Sequence, residues 1–146
     1  MSAFDDLYQE IIMDHYRSPR GAAKLDHVPQ AQAHENPTCG DSIKLEVVVG
    51  DDDHLERVRF DGKGCAISTA SASLMTETLR GLSVTDARET ANTFIKALRG
   101  DLPASVLDSM GDLAAFKSLT SFPVRVKCAT LAWHALLVTL PGARDA

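Results

Sequence analysis

The sequence predicts an α+β domain, a small antiparallel β-sheet packed against several helices, and three observations carry that prediction. Between Ile43 and Phe60 the apolar residues recur every second position on both sides of a turn-forming stretch. Elsewhere they recur at helical spacing, at 4, 7, 8, 11 and 12, then from Ile67 to Leu79, Val84 to Leu98 and Leu131 to Leu140. The strand-like stretches come early and the helical ones late, with no internal repeat and no linker, so 1–146 reads as one domain.

Taken in order, Phe4 to Tyr16 forms the first helix, with Asp5 and Asp6 suiting its positive end and Arg17 its negative end, and Ser18-Pro19-Arg20-Gly21 stopping it. His15 stands on or beside its apolar face and reads as a packing histidine. Residues 22–37 are loop-like, although Ala31 and Ala33 alternate with polar neighbours as a short edge strand would, where Pro29 is tolerable. Ile43, Leu45, Val47 and Val49 face one way and Lys44 and Glu46 the other; Gly50-Asp51-Asp52-Asp53 turns the chain, and Val58 and Phe60 complete a hairpin. The three aspartates lack the other ligands and the glycine–glutamate spacing of a calcium loop, so they form a solvated turn. Arg80-Gly81 ends the next helix on a glycine. Ser83-Val84-Thr85-Asp86 opens the one after it as a capping box, which Gly100 closes. Pro103 and Gly111 punctuate one or two short helices before Ser121, and the last helix runs from near Pro123 to Leu140.

Composition excludes several functions. Hydrophobic residues make up 45% of the 146, enough for a core. Aromatics are only 5%, which assigns that core to Leu, Val, Ile and Ala. A net charge of −5 carries no electrostatic footprint for nucleic acid. The longest apolar run, Ala135 to Val138, is far too short to span a bilayer, and the acidic start Met1 to Asp6 lacks the features of an export signal. The expectation is a cytoplasmic protein with no nucleic-acid or membrane partner. Three cysteines in that setting serve a metal or chemistry rather than a disulfide framework.

Those cysteines organise the chain. Cys39 and Asp41 flank Gly40 in the turn entering the hairpin, Cys65 follows Gly62-Lys63-Gly64 where the hairpin gives way to a helix, and Cys128 lies in the first turns of the last helix. We read Cys39, Asp41, Cys65 and Cys128 as four ligands of one ion, zinc by its preference for thiolate sulfur with a carboxylate oxygen. Two of the thiols fall near helix N-termini, and Lys63, Arg125 and Lys127 add positive charge, all favouring thiolate. Any one cysteine taken alone is by default an inert packing residue; three in glycine-flanked or helix-entry positions are not. His134, six residues past Cys128, faces another side of its helix and is no ligand. His27, His34 and His54 fall in loops and read as solvated, and Gly62-Lys63-Gly64 lacks the rest of a phosphate loop.

Leu7 to Tyr16, Asn36-Pro37-Thr38-Cys39-Gly40-Asp41, Gly64-Cys65-Ala66 through Ser73, and Arg125-Val126-Lys127-Cys128-Ala129 resemble the IscU/NifU family of iron–sulfur cluster assembly proteins over nearly the whole chain. Within it the chain is more similar to the SufU branch than to the IscU scaffolds. The scaffolds carry a histidine where Lys127 stands and a Leu-Pro-Pro-Val-Lys chaperone site where this chain reads Ser121-Phe122-Pro123-Val124-Arg125. They also have a shorter segment between the second and third cysteines. The resemblance implies an IscU/SufU-like fold and a zinc-dependent sulfurtransferase serving a PLP-dependent cysteine desulfurase of SufS type, with iron–sulfur scaffold proteins downstream. It implies that Cys39 accepts the persulfide once a desulfurase histidine displaces it from the metal. Arg125 would pair with Asp41 or with the partner. Cys128, the acceptor in the scaffold branch, is the rival for that role. Two alternatives stay open: a scaffold holding a [2Fe–2S] cluster or Fe2+ on the same ligands, and a zinc-stabilised interaction module without turnover.

Overall fold

A computed structural model describes residues 3–25, 33–36 and 40–141, with the backbone alone at 3–7 and 33–36. In chain order it contains α1 (Ala3–Arg17), β1 (Ala33–Asn36), β2 (Asp41–Val49), β3 (Leu55–Lys63), α2 (Ala66–Leu79), α3 (Val84–Arg99), two 3₁₀ segments (Ala104–Ser109 and Gly111–Ser121) and α4 (Pro123–Thr139). The strands form an antiparallel sheet in the order β1-β2-β3. The edge strand read from alternation near Ala33 is therefore present as β1, paired from Ala33 opposite Lys44 to Asn36 opposite Asp41. Pro29 and Ala31 lie outside the described residues.

The expected hairpin is β2–β3, with Leu45 opposite Phe60 and Val47 opposite Val58. Its inward residues Ile43, Leu45, Val58 and Phe60 are buried, as period-two alternation requires of a sheet covered on one face. Ser83 caps α3 by accepting the Asp86 N–H, and Gly100 closes it in the left-handed conformation. α2 ends as expected at Arg80-Gly81: Arg80 is the C-cap, in extended conformation, and Gly81 just beyond it takes the left-handed φ of +91°. The short helices around Pro103 and Gly111 are 3₁₀ rather than α.

Two features were not foreseen. An aromatic trio sits in the core, with the Phe94 ring 4.5 Å from Trp133 and edge-on to Phe116 at 5.9 Å, and all three are fully buried. A low aromatic count does not keep aromatics from the centre, because a few large rings fill the space between α3 and α4 that Leu and Ala cannot. The second feature is α2, buried on nearly every side from Ala70 to Thr76 because α1, α4 and β3 all pack on it. A helix so enclosed must pair its polar side chains internally. Ser71 donates to the Ala129 carbonyl and accepts from the Trp133 indole, Thr76 donates to the Ala72 carbonyl, and Ser73 bonds His15 and the Arg20 N–H.

Candidate metal centre

The centre forms where the starts of β2 and α2 meet the flank of α4. Gly40, at φ +73°, occupies a left-handed conformation open to glycine and delivers the chain into β2 at Asp41. Because Ser42 pairs with Lys63, the end of β3 and the following Gly64-Cys65 come to lie beside Asp41. Cys65 is the N-cap of α2, and its Sγ accepts the Ser68 N–H at 3.5 Å. Its own N–H donates to Asp41 Oδ1 at 3.1 Å, and its Sγ lies 3.6 Å from Oδ2. Gly64 permits this approach, since a Cβ there would fall 3.1 Å from Asp41 Oδ1 and 3.0 Å from Ser68 Cβ.

Cys128 reaches the same point from α4, which packs along α2. One ligand atom from each of Asp41, Cys65 and Cys128 falls within 4.8 Å of the others. Asp41 and Cys128 are buried, whereas Cys65 is exposed, so the cluster opens to solvent on one side. Zinc at about 2.0–2.3 Å from each ligand sets tetrahedral donors roughly 3.3–3.8 Å apart. The cluster needs only small side-chain movements to close on such an ion, and two sulfurs with a carboxylate suit zinc. The residues present fit the group, with a fourth position left for another donor.

Of the site residues expected from the sequence, then, Asp41, Cys65 and Cys128 are brought together, and Cys39 lies outside the described residues. The placement of two thiols near helix N-termini holds for Cys65 only. Cys128 is the sixth residue of α4, beyond the first turn where unbonded amides and the macrodipole act. Arg125 is exposed in the first turn of α4 with its guanidinium 5.4 Å from the centre of the Phe122 ring. His134 lies on α4 in a separate cleft that it lines with Arg99 and Lys127. Sequence reasoning missed Ser68, whose hydroxyl donates to Asp41 Oδ2 and lies 3.2 Å from the Cys128 carbonyl oxygen. Its signal was the spacing Cys65-x-x-Ser68 at a helix start, the positions of a reciprocal cap.

At the far end of α2, Ser73, His15 and Glu77 stand in the order of a hydrolytic triad. His15 Nδ1 is 2.6 Å from Ser73 Oγ, and Nε2 is 3.3 Å from Glu77 Oε1. Ser73 has no exposed surface and already accepts the Arg20 N–H, so no substrate can reach it. The trio is a strut between α1 and α2, buried at His15 and Ser73 and ending on the exposed Glu77, which makes His15 the packing residue expected of it.

A family description, NifU-like N terminal domain, matches residues 7–135. The chain belongs to that family. This NifU-like chain is 40% identical over 132 residues to the zinc-dependent sulfurtransferase SufU of Bacillus subtilis (strain 168), covering 90% of the chain and 88% of that protein. It is 39% identical over 137 residues to the iron–sulfur cluster assembly scaffold protein IscU of Streptococcus pyogenes serotype M1, covering 93% and 84%. The crystal structure of FiSufU, a SUF-system protein of Fervidobacterium islandicum AW-1, superposes with a TM-score of 0.74 at 29% identity, covering 88% of this chain and 93% of that one. The α+β architecture is thus that of its relatives. Among the described residues, no helix of this NifU-like chain is long and apolar enough to cross a membrane.

Proposed function

We propose that this NifU-like chain acts in iron–sulfur cluster assembly as a zinc-dependent sulfur acceptor and carrier, taking persulfide sulfur from a PLP-dependent cysteine desulfurase. The observation that carries the reading is the convergence of Asp41, Cys65 and Cys128 from β2, α2 and α4 to within 4.8 Å. The identity to a protein named for zinc-dependent sulfur transfer supports it. Asp41, Cys65 and Cys128 would hold the zinc, with Cys39, two residues before Asp41 in the chain, as the fourth ligand. When bound, zinc would keep the thiols deprotonated at neutral pH. The Cys65 N–H holds the carboxylate of Asp41 in place, and the Ser68 N–H does the same for Cys65 Sγ.

Cys39 is the acceptor in this reading. Its thiolate attacks the terminal sulfur of the desulfurase persulfide, the bond between that sulfur and the donor cysteine breaks, and the donor leaves as a thiolate. The persulfide then rests on Cys39, for delivery to a downstream scaffold protein. Arg125, exposed with its guanidinium over the Phe122 ring, would meet an acidic group of the partner.

The test is Cys39→Ala with a cysteine desulfurase turning over cysteine. The variant is expected to fold as the parent does, to abolish stimulation of sulfide release and to carry no trapped persulfide in the mass spectrum. Stimulation that survives the change removes Cys39 from the acceptor role. A second reading, a scaffold for a [2Fe–2S] cluster on the same ligands, is favoured by the identity to the IscU protein. Metal analysis with an absorption spectrum separates the two, because a colourless zinc-loaded protein supports sulfur transfer and a brown iron-loaded one supports the scaffold.

A further inference from the structure

Ser68 touches all three residues of the cluster while supplying no ligand itself. It is the third residue of α2, counted from the cap at Cys65, so its side chain returns over the N-terminus of the helix toward the cap. Its hydroxyl donates to Asp41 Oδ2, its N–H donates to Cys65 Sγ at 3.5 Å, and the carbonyl oxygen of Cys128 lies 3.2 Å from Oγ. Cys65 Sγ is also 3.6 Å from that hydroxyl. Contacts to three residues from β2, the α2 cap and α4 therefore meet on one small side chain. A serine hydroxyl carries one proton and accepts through two lone pairs. Of Asp41 Oδ2 and the Cys128 carbonyl, it can satisfy only one as donor at a time.

We propose that Ser68 is the positioning residue of the metal centre. Its hydroxyl aims the Asp41 carboxylate at the point where the two sulfurs converge. The Cys65 N–H on Asp41 Oδ1 acts as the other guide, so the carboxylate is held at both oxygens by the first turn of α2. Outer-shell hydrogen bonds to ligating carboxylates fix their direction in this way, and losing one typically lowers metal affinity by about 10–100-fold. Neither oxygen of the carboxylate is left to rotate freely, which preorganises the cluster for an ion.

The inference rests on the reading that Asp41, Cys65 and Cys128 bind zinc, and the experiment separates the two. Zinc alone is titrated into the full chain against a chromophoric chelator, with wild type, Ser68→Ala and Ser68→Thr compared and the zinc-free proteins melted in parallel. The expected result is a dissociation constant raised about 10–100-fold in Ser68→Ala, and one near wild type in Ser68→Thr, which keeps the hydroxyl. Alkylation of Cys65 in the zinc-free chain should also change rate in Ser68→Ala, since the Cys65 sulfur has lost a neighbour. A Ser68→Ala variant that binds zinc as tightly as wild type overturns the proposal, even if it melts earlier, because Ser68 would then only brace α2 against α4. Wild-type protein that binds no zinc overturns the metal-site reading itself.

Discussion

Gly64 shows how finely a single residue sets the centre. It contributes no ligand, and its φ is not in the left-handed region, so an alanine there meets no backbone penalty. The added Cβ would nonetheless lie 3.1 Å from Asp41 Oδ1, 3.2 Å from its Cγ and 3.0 Å from Ser68 Cβ. Something must give by a few tenths of an ångström, and the movable partners are the carboxylate and the serine that orients it. Gly64→Ala is therefore expected to weaken zinc binding while costing the zinc-free fold no more than about 1–3 kcal/mol of overpacking. Gly62→Ala makes the matched control. Its Cβ would fall 2.7 Å from the Ser42 carbonyl oxygen, a backbone atom of the neighbouring strand. That variant should lose stability through the β2–β3 pairing. Chelator competition and urea unfolding on both variants check the contrast, and equal zinc affinities in wild type and Gly64→Ala would show that the carboxylate has slack the geometry denies it.

At the scale of elements, α2 carries one chemistry at its start and another at its end. The second is the strut of His15, Ser73 and Glu77, which fastens α1. Burial, the largest influence, and then the Arg20 guanidinium hold the His15 pKa below its ordinary value, against the opposing pull of Glu77, Asp14 and Asp112. The unfolded chain consequently binds more protons at this histidine than the folded one. Its contribution is present above about pH 6.5 and is lost as pH falls below that value toward the folded pKa. Stability measured by urea unfolding should drop between about pH 7.5 and 5.5. His15→Phe should flatten that slope while losing roughly 1–3 kcal/mol from a buried Ser73 hydroxyl stripped of its histidine partner. The residual slope belongs in part to His134, shifted down by burial and Arg99; an undiminished slope would clear His15 of the effect. The helix itself was legible in the sequence because Ile67, Ala70, Leu74, Met75 and Leu79 keep one stripe. Its burial on the other sides was not, because small Ser and Ala residues look alike whether they face solvent or a neighbouring helix. The hairpin, the Ser83 cap and the Gly100 stop were legible for the opposite reason, each being decided by residues adjacent in the chain. Asp41, Cys65 and Cys128 could be nominated from their local settings, but Ser68 needed the crossing of α2 and α4 before its three contacts existed.

For the whole molecule, the question is what a zinc ion held by these donors would add to a fold that already has a core. The buried cluster from Ile43 to Leu140, with the Phe94, Phe116 and Trp133 rings at its centre, does not depend on the donors. The donors come from β2, the α2 cap and α4, so a shared ion would bind sheet and helices together without creating either. This differs from zinc fingers, which are unfolded without their metal. Linkage gives the size of the effect. Free zinc at 100 times its dissociation constant stabilises the native state by about 2.7 kcal/mol if the unfolded chain does not bind it. For a chain of this length 1 kcal/mol moves the melting temperature by roughly 2–4 °C. Removing zinc with a chelator is thus expected to lower the melting point by about 5–10 °C, less if the unfolded cysteines retain zinc. The far-ultraviolet circular dichroism and the fluorescence of Trp133 at the starting temperature should stay unchanged. Loss of that dichroism on chelation would mean that the metal nucleates the fold, and a melting point indifferent to zinc would mean that the three donors do not hold it.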